Sequence, residues 1–477
     1  MRRGVWLALA VLLPRLVAFV FNENLGGDAI ARTWLAHRWL EAPHLITSFD
    51  GGAKQFGPLH IYLLALAEWL WPSLLHAGRL LSLVVGSLTA WPLFDFTRRR
   101  FGDEAATWSV ALFAGWGVHI QCSATASSEA LNLLLVMGAV ALLERGRWAG
   151  AAVLLNLACA TRYDSWLLVP VFALADGWAH RSYLRVLKTG AASSVFALAW
   201  LWGNHLARGD AFFPLRFIDE FHRAWWPTEA ATWGEGAYRL MCLVFWPGAA
   251  LLTLGPAAVG GFSALRRAWS SRVESRWLVL LIVLPAVLYG VRGALFASFA
   301  PLARFTLKEV LLLIPFAGWW LSQRSRVVAS AMVWALVAWT AVLTVFCWRP
   351  DTKWPFTLRS ISPVTRMDSS VRRPAEWLQQ HARAGLLVLD EDPLAYDELI
   401  VSYYAGRPFE EQLRRRYERY AEALGDRTVE WLLLIDGGRL TREGAATALD
   451  ERHVSFHGAR YVERMRDGRF RVLERDE

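Results

Sequence analysis

Long apolar runs separated by short basic stretches dominate the first 350 residues. Val327 to Trp348 runs 22 residues without a charge, enough for one helix to cross a bilayer's hydrocarbon. Tyr238 to Gly261 carries Arg239 near its start and is otherwise uncharged. Shorter or interrupted runs stand at 5–21, 80–97, 105–121, 129–143, 189–203, 277–291 and 306–321. Residues 148–179 read as two short spans with a turn at Thr161-Arg162-Tyr163-Asp164. The pattern predicts an α-helical polytopic membrane protein with about 11 transmembrane helices over residues 1–350.

Loop charge gives the spans a direction. Arg98-Arg99-Arg100, Glu144-Arg145-Gly146-Arg147, the group Arg181, Arg185 and Lys188, the group Arg266, Arg267, Arg272 and Arg276, and the pair Arg324 and Arg326 all fall inside if the N-terminus is cytoplasmic. The first run, after Met1-Arg2-Arg3, resembles a signal peptide. It is followed by Asn22-Glu23-Asn24 in place of small cleavage-site residues, so it reads as a retained span. Residues 22–78 then form a long outer loop. The apolar stretch 58–75 within it contains His60, Glu68 and Pro72 and reads as a helix lying in the membrane surface. Residues 204–237 read as a polar outer loop.

From about Asp368 the composition turns charged and mixed. Leu386 to Leu389 and Trp431 to Ile435 are short buried-strand patterns, Arg372 to Arg383 and Glu410 to Leu424 read as helices, and Phe470 to Leu473 is a last strand after a turn at Asp467-Gly468. Residues 368–477 are expected to form a small C-terminal α/β soluble domain outside the cytoplasm, periplasmic beside an inner (plasma) membrane.

Composition agrees with the pattern. The chain is 55% hydrophobic and its 27 Trp include many at run ends, as an interfacial belt requires. The net charge of +9 follows from basic inner loops, so no nucleic-acid partner is implied. Four Cys, at 122, 159, 242 and 347, stand singly, without metal-ligand or redox spacing.

Candidate chemistry gathers at the outer ends of the spans. Asp28 follows Gly26-Gly27 just after the first span, placed for general-base work on an acceptor or for a plain helix N-cap. Glu129 opens the span after Ser127-Ser128, and Arg79 opens the span at 80–97. Arg162 lies in the turn after the fifth span, Arg304 and Lys308 stand one helical turn apart, and Lys54 and His60 belong to the first outer loop. Cations at one depth suit an anionic lipid headgroup, although single charges there also snorkel. Arg15, inside the first span, should face the bundle interior. Asp390-Glu391-Asp392 has the form of a metal-binding Asp-x-Asp, but a solvated loop after a strand is the plainer reading.

The order of several short motifs resembles the GT-C superfamily of membrane glycosyltransferases, in particular the protein O-mannosyltransferase and lipid A aminoarabinose transferase type. These are Gly27-Asp28-Ala29, Gly57-Pro58-Leu59-His60-Ile61-Tyr62, Gly78-Arg79-Leu80-Leu81-Ser82, Ser127-Ser128-Glu129-Ala130-Leu131 and Ala160-Thr161-Arg162-Tyr163. The likeness covers roughly residues 1–200 by motif and the rest by architecture. Two features depart from it: Ala31-Arg32-Thr33 stands where a Tyr is frequent, and the second acidic residue is Glu. The resemblance implies Asp28 and Glu129 as catalytic residues and Arg79, Arg162, Arg304, Lys308, His60 and Lys54 as substrate-binding residues. It implies a polyprenyl-phosphate sugar donor, a lipid, glycan or protein acceptor, and contact with membrane lipids. No cofactor is implied, and a divalent metal is possible but not required. A transporter or lipid flippase is the rival class, and a non-enzymatic envelope assembly protein is another. Transporters place ionisable groups near mid-membrane in repeated halves, and no internal repeat is visible here.

Overall fold

The computed structural model describes residues 2–24, 27–271, 276–299, 301–347, 361–367, 369–382, 384–391, 397–414, 424–425 and 427–476. The chain begins with helix α1 (Arg2–Phe21) and then the 22–78 loop, which holds α2 (Gly27–Glu41) and α3 (Pro58–Leu70). Next come α4 (Ala77–Leu88), α5 (Ala90–Phe101), α6 (Asp103–Gly115), α7 (Gly117–Ala124), α8 (Ser128–Glu144), α9 (Trp148–Thr161) and α10 (Leu168–His180). They are followed by α11 (Tyr183–Ser193), α12 (Val195–Arg208), α13 (Phe213–Trp233), α14 (Glu235–Leu254), α15 (Pro256–Ser271), α16 (Arg276–Phe296), α17 (Leu307–Ser322) and α18 (Arg326–Cys347).

Among the described residues, five helices are long and apolar enough to cross a membrane: Gly4–Phe21, Ala77–Phe101 (α4 running into α5), Glu235–Leu254, Arg276–Phe296 and Arg326–Phe346. Two bent pairs raise the number to seven if each is one span: α7 with α8, at 117°, and α11 with α12, at 48°. The chain is thus helical and polytopic, as expected, and three of the predicted segments are corrected. The run 105–121 breaks at Trp116, whose extended backbone separates α6 from α7. The run 238–261 breaks at Gly255, at φ +56° and ψ −141°, a conformation open to glycine. Pro256 follows it and cannot donate into the preceding turn. The supposed loop 204–237 holds the 21-residue helix α13. Its charges fall at helical spacing, with Arg223 paired to Asp219 at 2.9 Å. The split of 148–179 occurs where the turn was expected, as α9, a short 3-10 turn Tyr163–Leu167, and α10.

Arg15 in α1 is fully buried. It donates to the carbonyls of Val11 (2.7 Å) and Phe113 (3.3 Å), meets His119 Nδ1 at 2.8 Å, and lies over the Phe113 ring. It does face the bundle, and it ties α1 to α6 and α7.

The C-terminal part contains α19 (Ser369–His381), α20 (Asp397–Tyr404), α21 (Arg439–Arg442) and strands β1 (Leu386–Leu389), β2 (Gln412–Arg414), β3 (Val429–Ile435), β4 (Ala446–Ala448), β5 (His453–Phe456), β6 (Ala459–Asp467) and β7 (Phe470–Arg475). They form one sheet in the order β2-β1-β3-β7-β6-β5-β4. The first three strands are parallel and the rest antiparallel. The helix expected from Glu410 is corrected: Phe409–Glu411 is one 3-10 turn leading into β2, and residues 415–423 lie outside the described residues. The hairpin strands β4 to β6 carry few apolar residues in alternation, which hid them in the sequence. Asp390 accepts from the backbone N–H of Leu440 (2.8 Å) and Ile435 (3.2 Å), and Glu391 pairs with Arg439 at 3.3 Å. These two carboxylates fix the turn after β3, while Asp392 lies outside the described residues.

One apolar core runs through both parts. Ala29, Ile30, Trp34, Ile61 and Leu64 of α2 and α3 pack in the same cluster as Val371, Leu387, Leu433 and Phe470. Polar contacts lock the seam: Arg372 to Glu23 at 2.5 Å, Tyr404 Oη accepting from Asn24 N at 2.6 Å, and Tyr403 Oη donating to the Leu74 carbonyl at 2.7 Å. His37 of α2 joins three elements, meeting Glu68 of α3 at 2.6 Å and Glu410 at 2.8 Å. The Glu68 hydrogen bond, against the opposing effect of burial and with help from Glu410, pushes the His37 imidazolium up to about 9. A histidine raised on folding contributes stability that is complete below its unfolded value, about 6.5, and is lost as pH rises through the folded value. The thermal midpoint of the wild-type protein is therefore expected to fall between pH 6.5 and pH 9, by the equivalent of about 1–2 kcal/mol. His37→Ala should flatten that part of the curve, and a variant profile with the wild-type slope would remove the linkage.

Candidate active site

Three carboxylates and four cations meet where the 22–78 loop covers the ends of the helices. The first carboxylate, Asp28, stands in the opening turn of α2, where the helix dipole favours a negative charge. Arg32 follows one turn later on the same face. The Asp28 and Arg304 side chains pair at 2.9 Å and are 25% and 36% exposed, so this pair is the accessible end of the cluster. Burial pushes the Asp28 carboxyl up, but Arg304 and Arg32 outweigh it and hold the group below its ordinary value.

The inner end is closed. Arg162, at the end of α9, donates to Glu129 Oε1 at 2.6 Å, to Ser128 Oγ at 3.2 Å and to Asp164 Oδ1 at 3.1 Å. Asp164 in turn receives the Lys308 ammonium from α17. Burial raises the Asp164 carboxyl, and the two cations bring it well below the usual range. Truncating one member of such a buried chain leaves a charge uncompensated, a loss of about 3–5 kcal/mol.

Local sequence explains the alignment. Gly57 and Pro58 begin α3, and a Cβ on Gly57 would stand 2.2 Å from the Ala160 carbonyl oxygen. The close approach presses α3 onto the last turn of α9 and holds Arg162 beside the loop. The sharp bend between α7 and α8 puts Glu129 in the first turn of α8. Arg304 lies in a 3-10 turn, Ala303–Phe305, and Lys308 just beyond it in α17. The backbone break at Thr306 sends the two to different carboxylates instead of one common face.

His60 in α3 is buried and within electrostatic reach of Arg32, Glu129 and Arg162. Burial, then Arg32, pushes it down to about 3, so it is neutral near pH 7 and offers the site a hydrogen-bonding group, not a charge. An aromatic wall closes one side. Phe305 lies 5.2 Å from the Arg304 guanidinium and 5.8 Å from that of Arg162. Phe299 packs on Phe305 at 5.4 Å, and His222 of α13 packs on both.

The structure thus brings together Asp28, Glu129, Arg162, Arg304, Lys308 and His60. It leaves out Lys54 and Arg79. Lys54 sits beside Asp50 and Arg208, a pair joined at 2.6 Å. Arg79 donates to the carbonyls of Ala124 (2.8 Å), Asn22 (2.7 Å) and Phe19, and it stacks over the Phe19 ring. Its guanidinium is engaged in pinning α1 to α4 and α7. Arg32 and Asp164 were missed as site residues. The spacing of four from Asp28 to Arg32, and of two from Arg162 to Asp164, was the available signal. Among the described residues, His37, Glu41 and Glu410 have ligand atoms within 4.8 Å of one another. They belong to the seam with the C-terminal part, not to this cluster.

No protein-family profile matches the chain, and no curated protein matches it in sequence. Solved structures match it over nearly its full length. ArnT from Cupriavidus metallidurans in the apo state superposes with a TM-score of 0.66 at 13% identity, covering 99% of this chain and 98% of that one. ArnT from the same organism bound to undecaprenyl phosphate gives 0.63 at 14% identity, covering 98% and 97%. The apo oligosaccharyltransferase of Archaeoglobus fulgidus gives 0.54 at 13% identity, covering 91% of this chain and 69% of that one. The chain therefore has the fold of the GT-C glycosyltransferases, helical region and C-terminal part together.

Arg79→Lys should lower stability by about 1–3 kcal/mol, because buried carbonyl groups lose their donors. Thermal unfolding measures the loss. A variant that melts with the wild type would release Arg79 from this structural role.

Proposed function

We propose that the protein is a membrane glycosyltransferase that moves a sugar from a polyprenyl-phosphate donor to a lipid, glycan or protein acceptor. The observation that carries the reading is the partly exposed Asp28–Arg304 pair at the mouth of a buried, cation-rich cluster. It stands in a fold shared with a protein solved with undecaprenyl phosphate.

In this reading the acceptor's O–H or N–H group meets the Asp28 carboxylate, and its heteroatom attacks the anomeric carbon. The bond from that carbon to the donor phosphate oxygen breaks, and the polyprenyl phosphate leaves with the electron pair. Arg304 is the reachable cation for the departing phosphate, and Arg32, Arg162 and Lys308 add positive potential behind it. Asp28 is a weak base, because its neighbours stabilise the ionised form. Its task is to orient the acceptor and take the proton as the new bond forms, when the acceptor has become acidic. Glu129 and Asp164 keep Arg162 and Lys308 in place. Cationic side chains supply the phosphate's counter-charge, so a chelator should leave the rate unchanged.

The basic loops favour a topology with the N-terminus in the cytoplasm and the 22–78 loop, the cluster and the C-terminal part on the far side of an inner (plasma) membrane. Donor and acceptor would meet there.

Asp28→Asn should reduce transfer by about 10²–10⁴-fold while leaving expression and melting temperature unchanged. The assay is mass spectrometry of envelope lipids and glycans from a deletion strain carrying either form. Wild-type product levels from the variant would defeat the reading. Because Asp28 is held below its ordinary value, the acid limb of kcat/KM should lie below about pH 4. A limb near neutrality would assign the base to another group.

A further inference from the structure

Glu309, next to Lys308, is not used by the ionic cluster. It is 1% exposed, and neither carboxylate oxygen has a well-formed hydrogen bond to another described residue. Glu309 stands in the first turn of α17, close to its own backbone N–H. The favourable end of a helix dipole is a small effect beside the desolvation of a carboxyl with no bonded neighbour. An ionisable group at such depth marks a functional position.

The carboxyl lines a slot between α14, α16 and α17, with a cavity volume of about 10 Å³. Tyr289, Phe299, Trp246, Thr306 and Cys242 line it as well. A space of that size holds about one water, so this slot suits a single hydroxyl or ammonium group and neither a sugar ring nor a lipid chain. It adjoins the reaction centre: Phe299 stacks on Tyr289 at 4.7 Å and touches Phe305, which lies beneath Arg162 and Arg304. The Tyr289 hydroxyl donates to the Asp164 carbonyl at 3.4 Å. A carboxylate without a bonded neighbour at the wall of so small a space is an acceptor for a single O–H or N–H donor.

We propose that Glu309 is a specificity-determining residue, the acceptor for a hydroxyl or ammonium substituent of the transferred sugar received in this slot. The inference rests on the glycosyltransferase reading and adds to it the element that selects the donor.

The test uses the full-length protein in nanodiscs. Affinities are measured for undecaprenyl phosphate alone and for its esters with glucose, arabinose and an aminopentose. The wild type should take at least one ester about tenfold more tightly than undecaprenyl phosphate, the worth of one charge-assisted hydrogen bond. Glu309→Leu should erase that increment while leaving affinity for undecaprenyl phosphate unchanged, which also reports an intact fold. Glu309→Gln, which keeps an acceptor, should retain part of it. An increment that survives in Glu309→Leu overturns the proposal, and so does a wild type that binds undecaprenyl phosphate but prefers no ester. A wild type with no affinity for undecaprenyl phosphate or any ester removes the glycosyltransferase reading and this inference with it.

Discussion

Charges taken out of water have to be neutralised by one another, and that requirement organises this molecule. Glu129, Arg162, Asp164 and Lys308 come from α8, the turn after α9 and the start of α17, and they form one continuous chain of ion pairs. Asp28 and Arg304 add the 22–78 loop and the turn before α17 to the same cluster. No element can shift far without leaving a carboxylate or a guanidinium stranded in a low-dielectric region. The ion pairs thereby dictate where helices of quite different lengths end, and they set the level at which the loop helices α2 and α3 rest. Four cations against three carboxylates leave the cluster one positive charge in excess, which the donor phosphate of the proposed reaction would complete.

The gradient of exposure within the cluster divides its labour. Glu129 and Lys308 are almost wholly enclosed, so their worth lies in holding Arg162 and Asp164. Asp28 and Arg304 are reachable and can exchange each other for a ligand at modest expense. A site built this way is rigid at its floor and responsive at its mouth, which is the arrangement that differential binding of a transition state calls for.

Much of this was legible in the chain. Apolar run length located α1, α8, α16, α17 and α18, and the basic loops put the outer-end charges on one side. That was enough to bring Asp28, Glu129, Arg162, Arg304, Lys308 and His60 together on paper. The failures have physical causes. Periodicity reports that a face is covered, not by what, so α13 passed for a loop because its charges suggested solvent. A glycine followed by proline inside an apolar run looks like tolerated noise, yet Gly255-Pro256 ends one helix and starts another. Arg79 looked like a phosphate ligand because the carbonyls it serves, those of Phe19, Asn22 and Ala124, come from segments that only the fold brings near. Asp164 went unassigned because its partner Lys308 lies 144 positions away.

The apolar core shared by α2, α3 and the C-terminal sheet has a consequence for biosynthesis. Ile30 and Trp34 share their apolar cluster with Leu399 and Val401 of α20 and with Leu433 and Phe470 of the sheet, so the cover of the loop that carries Asp28 is incomplete until β7 has been made and moved into position. Contacts of such long range form late. A polypeptide interrupted before β7 presents a naked apolar surface, which draws chaperones and proteases. The C-terminal sheet thus acts as a late seal: the loop becomes durable only when the sheet has docked against it.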